Sequence, residues 1–257
     1  MIFWRAIRHL LFFSIVGKRI NQKPIFNDII FYLFREGTNI YTKYRLKIWG
    51  THTDADPFKI IQVNPDKIEN ISGLDFGHSG EVRSGDWDQS TKKFIEENPV
   101  AQSIKLHFEN SVPWRETPLY SVFQQELNTR GDAWGYKSMS DFEKRCEEIE
   151  NLYNSIATDG YLTNREVYRQ NRSRAHAKNN DGLHPNIHEV NVDIGRDGQL
   201  LWRRVGQNRL AIAKVLNLDK IPVRVAVRHT EWQQTRETIQ SGDQQSADHP
   251  DLIDTLT

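Results

Sequence analysis

Cysteine is almost absent: Cys146 stands alone in 257 residues. A single thiol excludes an internal disulfide framework and a cysteine zinc cluster, and it fits a reducing interior. Net charge is absent too. Lys and Arg number 34 and so do Asp and Glu, so a uniformly basic nucleic-acid binder is not indicated. No apolar run approaches the ~20 residues that a spanning helix needs. Leu10 to Val16 is short, and Phe26 to Phe34 is interrupted by Asp28. Arg5 and Arg8 ahead of the first run resemble the start of a signal peptide, yet Gly17-Lys18-Arg19 follows where small residues would mark cleavage. There is no internal repeat.

What is present suffices for a packed core, with 37% apolar residues, although 26% charged makes the chain polar for a globular one. The zero net charge hides an asymmetry. Residues 1–50 carry nine basic residues against Asp28 and Glu36, a balance of +7 that leaves −7 on the remainder. Residues 1–55 therefore read as a basic, aromatic-rich helical extension. Its two apolar segments suit amphipathic helices on an anionic membrane surface or a partner protein. A helical hairpin packed on the domain fits the same residues. The expected location is cytoplasmic, with peripheral contact at the inner membrane face.

The most informative stretch runs from Glu189 to Trp232. Val190, Val192 and Ile194 alternate with Glu189, Asn191 and Asp193, the period of a half-buried strand. Asp197-Gly198 is a hairpin turn signal, and a second strand returns from Gln199 to Val205. Gly206-Gln207-Asn208-Arg209 then leads into Leu210 to Leu216, apolar on nearly all sides and expected to be a short buried helix. Asn217 suits a left-handed cap, and Ile221-Pro222 opens a third strand through Val223, Val225 and Val227. A glycine at a strand-to-helix junction permits close backbone approach. The helix behind it offers free N–H groups, and an Arg in its first turn adds a planar fork. Together they suit an anion, most often phosphate. A tight junction whose Arg209 pairs with a structural carboxylate fits equally well.

The run from Asp197 to Val225 resembles the second half of a ParB/sulfiredoxin-type domain, with its strand, Gly-x-x-Arg box, alanine-paired helix and Leu-Asp-x-Ile-Pro-Val strand in that order. The resemblance implies an α+β fold, a small mixed sheet with flanking helices, and a box that contacts nucleotide phosphates through Gly206, Gln207, Asn208 and Arg209. Partition proteins of this kind usually carry Glu and Arg where Gln207 and Asn208 stand. Sulfiredoxin needs a box cysteine that is missing here, and kinase-like members prefer His at Asn208. The fold therefore carries over better than any one activity.

The rest of the chain is assigned around that domain, expected over residues 56–232. Phe58 to Val63 is a short opening strand, and Ile68 and Ile71 suggest a helical turn. Gly85-Asp86-Trp87-Asp88 combines a permissive backbone with two carboxylates that suit Mg²⁺, or else forms a turn capped by Asp86 and anchored by Trp87. In related domains this loop faces the box, which would put Arg83 and Asp86 at the pocket. Residues 91–139 read as an insertion, helical from Phe94 to Phe108, with an aromatic cluster that would lid the site. Ser140 to Glu143 is a capping box for a helix that carries Phe142, Cys146, Ile149, Leu152 and Ile156 and closes at Gly160. On that stripe Cys146 is core. Residues 162–188 read as a solvated loop, in which Arg165, Arg169, Arg172, Arg174 and Lys178 would be the nucleic-acid contacts if there were any. His184 and His188 lack a third metal ligand. His229 either reaches the site or caps the strand end. Residues 233–257 read as a polar, disordered tail.

Three functions follow from these residues. The first is a nucleotide- or phosphate-binding switch. The second is a magnesium-dependent phosphotransferase on a small molecule, with Asp86 or Asp88 on the metal and Asp86, Asp88 or His229 as catalytic candidates. The third is a DNA-binding or nuclease-type protein, disfavoured because no helix-turn-helix follows the domain.

Overall fold

The computed structural model describes residues 52–75, 77–169, 185–242 and 248–255, together with Tyr32, Leu33, Glu36, Gly37, Ile40 and Tyr44, which are helical. The rest of the N-terminal extension lies outside the described residues. So do Arg172, Arg174, Lys178 and His184. Among the described residues no helix is long and apolar enough to cross a membrane.

The fold is mixed α+β. In chain order it runs β1 (Ile60–Val63), β2 (Asn70–Ile71), β3 (Glu81–Arg83), α1 (Phe94–Glu97), α2 (Pro99–Asn110), α3 (Pro118–Arg130), α4 (Phe142–Asp159) and α5 (Asn164–Arg169). There follow β4 (Val190–Ile194), β5 (Leu200–Trp202), α6 (Gln207–Val215), β6 (Ile221–His229) and α7 (Thr230–Gln240). The six strands make one sheet in the order β1-β6-β4-β5-β2, and β3 also pairs with β6. β6 is the axis. It runs antiparallel to β1 and parallel to both β4 and β3. Parallel pairs need long crossovers, which is why β4 and β6 are joined through β5 and α6.

One face of the sheet is apolar. Val190, Val192 and Ile194 point from β4 into a cluster that includes Val223 and Val225 of β6, Leu210 and Ile212 of α6, and Ile104, Phe123 and Phe142 from the helices of the insertion and α4. α6 packs on α2 and α4. The other face was expected to meet solvent. It is buried instead: all five residues of β4 and all nine of β6 are inaccessible. Asn191 and Asp193 are tolerated there because arginines from the neighbouring strands reach them. Arg224 Nε donates to Asn191 Oδ1 at 2.8 Å, and Arg203 Nη1 donates to both Asp193 oxygens at 2.9 and 2.8 Å. Asp193 Oδ1 also accepts the Val227 N–H where the β4–β6 register shifts.

Three further local expectations change. The helix expected from Phe94 to Phe108 is broken at Asn98-Pro99, where the Asn98 side chain caps α2 through Ala101 N. A proline cannot donate within a helix, so it starts a new one. The Ser140–Glu143 capping box does not form. A 3-10 turn over Met139–Asp141 precedes α4, and Glu143 pairs with Arg115. The expected tail is largely structure: α7 runs to Gln240, and Pro250–Thr255 forms a 3-10 turn that buries Asp251 and Leu252. The domain also begins earlier than residue 56, since His52 bridges to Glu81 and Asp54 accepts from Arg236.

Candidate functional site

β5 ends at Trp202, whose indole N–H donates to Val205 O at 2.9 Å. The chain then turns through Gly206, at φ 79°, into α6. A Cβ at Gly206 would lie 2.8 Å from Val190 Cα and 2.9 Å from its Cγ2. The glycine expected to admit a ligand thus admits the chain's own β4. Past it, α6 begins without a side-chain cap, and among the described residues no side chain accepts from the first amides of Gln207, Asn208 and Arg209. Such a helix end favours negative charge.

The side chains of the box are held by protein. Asn98 Nδ2 donates to Gln207 Oε1 at 3.0 Å, and Arg145 Nη2 donates to Asn208 Oδ1 at 3.3 Å. Arg209 is held as well. Its Nη1 donates to Glu189 Oε2 at 2.8 Å and its Nη2 to the His188 carbonyl, and its guanidinium lies 5.5 Å from the Tyr161 ring centre. Burial opposes the charge on Arg209, but Tyr161 and the Glu189 carboxylate outweigh it, so the pKa ends raised. Arg209 is therefore turned toward a fully buried carboxylate, the pairing expected of a tight structural junction. Tyr161 OH is itself buried without a partner among the described residues.

Arg145 was missed from the sequence, and it is the cation that borders the box. It comes from α4 and lies over the Trp134 ring at 5.4 Å. Its Nε is buried with no acceptor among the described residues, and the nearest carboxylate contact among them is to Glu148 at 3.5 Å. Burial lowers its pKa, with Glu148 opposing only in part. A signal for it existed. Arg145 sits three after Phe142 and four before Ile149, on the apolar stripe. The insertion does reach the box, through Trp134 over Arg145, and it packs its own aromatics: Phe123 lies 5.4 Å from Phe142 and 6.0 Å from Tyr136.

The Gly85–Asp88 loop is elsewhere. Gly206 sits against Val190, which pairs with Val223, whereas Arg83 pairs with His229. These are six residues apart along β6, roughly 20 Å at about 3.3 Å per residue. The expected meeting of Arg83 and Asp86 with the box does not occur. Arg83 pairs with Glu81. Asp86 and Asp88, the expected magnesium ligands, are both paired with Arg196. Its Nη2 donates to Asp86 Oδ1 and Asp88 Oδ1, both at 2.8 Å, and its backbone N–H and Nε donate to Asp88 Oδ2, both at 2.9 Å. Burial raises the Asp88 pKa, but Arg196 and the nearby His229 outweigh it and hold it at about 2. His229 caps α7: its Nδ1 accepts from Glu231 N, so Nε2 carries the proton and donates to Gly85 O at 3.0 Å. It fills the strand-end role.

Searches against family models, curated proteins and solved structures gave no match.

Proposed function

We propose that this chain is a ParB-like nucleotide- or phosphate-binding domain whose anion rests at the N-terminal end of α6, beside Arg145. The observation that carries the reading is the pairing of an uncapped helix start with a buried guanidinium whose Nε has no acceptor among the described residues. Free amides and a planar fork converging on one point suit phosphate oxygens. The chain order of β5, glycine turn, α6 and β6 agrees with the resemblance, and the Trp134 ring lies against the Arg145 guanidinium. A binding switch is favoured over phosphotransfer because the carboxylates expected to hold magnesium are engaged by Arg196.

Thermal unfolding of the full chain with nucleoside mono-, di- and triphosphates, with and without Mg²⁺, tests this. A ligand at a hundred times its Kd adds about 2.7 kcal/mol, or about 5–10 °C for a chain of this size. Arg145→Gln should weaken the effective nucleotide by roughly ten- to a hundred-fold, the worth of one charge-assisted bond. No rise with any nucleotide or with inorganic phosphate would end this reading.

A further inference from the structure

On the polar face of the sheet three side chains lie in one row across neighbouring strands. Arg203 follows β5 and donates its backbone N–H to Asn191 O, and Asn191 pairs in register with Arg224 of β6. Two guanidiniums therefore flank one amide. Arg203 is neutralised by Asp193. Arg224 shares that one carboxylate. It is buried, its Nε donates to Asn191 and its Nη1 to Ser79 Oγ at 2.5 Å, and among the described residues no carboxylate forms an ion pair with it. Burial, and then the charge of Arg203, depress its pKa to about 10, with the attraction of Asp193 opposing only in part. Burial also raises the Asp193 carboxyl despite Arg203, which weakens its cover for the pair. Two buried cations sharing a single carboxylate are costly to a fold.

The space beside it is shaped by the loop before β3. A Cβ on Gly77 would meet Arg203 Nη2 at 2.7 Å, so only a glycine lets the backbone lie along that guanidinium. Gly77 and Ser79 are half-buried and His78 is exposed, so the row is separated from solvent by one short loop.

We infer that Arg203, Asn191, Arg224 and Ser79 form a second binding site, for an oxyanion bearing one to two negative charges, a carboxylate or a phosphate group. The Nη2 edges of both guanidiniums face no acceptor among the described residues, and both groups present the paired oxygens that a guanidinium fork matches. This site is separate from the end of α6, and the inference does not rest on the reading proposed there.

The Arg224 Nε–H, held by Asn191, should give a protected resonance in a ¹⁵N-correlated spectrum of the full chain. Arg224→Met identifies it by its loss. Sodium phosphate and, separately, sodium acetate are titrated against sodium chloride at equal ionic strength. A saturable movement with either salt supports the site, and the salt that acts names the group. Ser79→Ala, which keeps the resonance should Arg224→Met not fold, should weaken that titration by roughly three- to tenfold, the worth of one hydrogen bond. Arg145→Gln should leave it unchanged. Movement no greater than chloride produces, a titration indifferent to Ser79→Ala, or one abolished by Arg145→Gln would each overturn the assignment.

Discussion

A guanidinium that donates to a buried carboxylate cannot be removed without stranding its partner, and Arg209 with Glu189 is such a pair. Glu189 is fully buried and accepts from Arg209 Nη1 and from the Asn164 N–H at 2.6 Å. Arg209→Ala is therefore expected to lower stability by about 3–5 kcal/mol in urea unfolding. A double replacement, Arg209→Met with Glu189→Leu, should recover most of that, because it leaves no charge unpaired. A single substitution that weakens nucleotide binding at unchanged stability would contradict this placement. The residue types at the box were legible in the sequence, and so was the alternative that Arg209 serves architecture. The partner was not. Glu189 looked like the solvent side of an alternating strand, and alternation tells which residues share a face without telling what covers it. Arg224 and Arg203 were unreadable for the same reason, and Arg145 was passed over for the apolar residues around it.

α6 was the most legible element, because each end is set by one backbone requirement. Asn217 adopts the left-handed conformation at φ 49°, and Leu218 N closes on Ala213 O, as a helix ending in Asn should. At the other end Gly206→Ala should cost about 1–2 kcal/mol for the left-handed backbone, and more through the 2.8 Å approach to Val190. Chemical denaturation would measure it, and a neutral result would mean that the turn can relax. α3 escaped notice because its face is mixed and its start, Thr117-Pro118, resembles the loop around Trp114. The tail misled through composition. Its Gln, Ser and Asp residues read as disorder, yet α7 needs only Trp232, Gln233, Arg236 and Ile239 on its buried side.

Across the whole molecule the ends of the domain are tied by charge. Asp251 accepts from Arg228 Nε at 2.9 Å and Nη2 at 2.6 Å and from the Trp232 indole at 3.0 Å, and Lys59 Nζ is 3.3 Å away. Arg236 reaches Asp251 and Asp54 together. Burial works to raise the pKa of Asp54, Asp88 and Asp251, and their cationic partners more than reverse it, so all three titrate below the usual range. A carboxylate with a depressed folded pKa contributes stability above its unfolded value, near 3.9, and loses it as pH falls toward the folded value. The contribution of these three carboxylates should thus be constant at neutral pH and fall from about pH 4 downward, still falling at about pH 2. Asp251→Asn should cost about 3–5 kcal/mol at pH 7 by stranding two guanidiniums, and it should make the acid limb shallower. An acid limb as steep as that of the unaltered chain would show that Asp251 is not one of the groups titrating there.

β6 has one more implication, for the order in which the protein is made. Its edges carry β1, β3 and β4, all of which precede it. A ribosome that has synthesised residues 1–220 has released three strands with no central partner and an α6 with one side of its core missing. Such pairings between distant segments are slow to form. Until residues 221–229 emerge, the growing chain presents open strand edges, and that is the interval in which chaperones matter most.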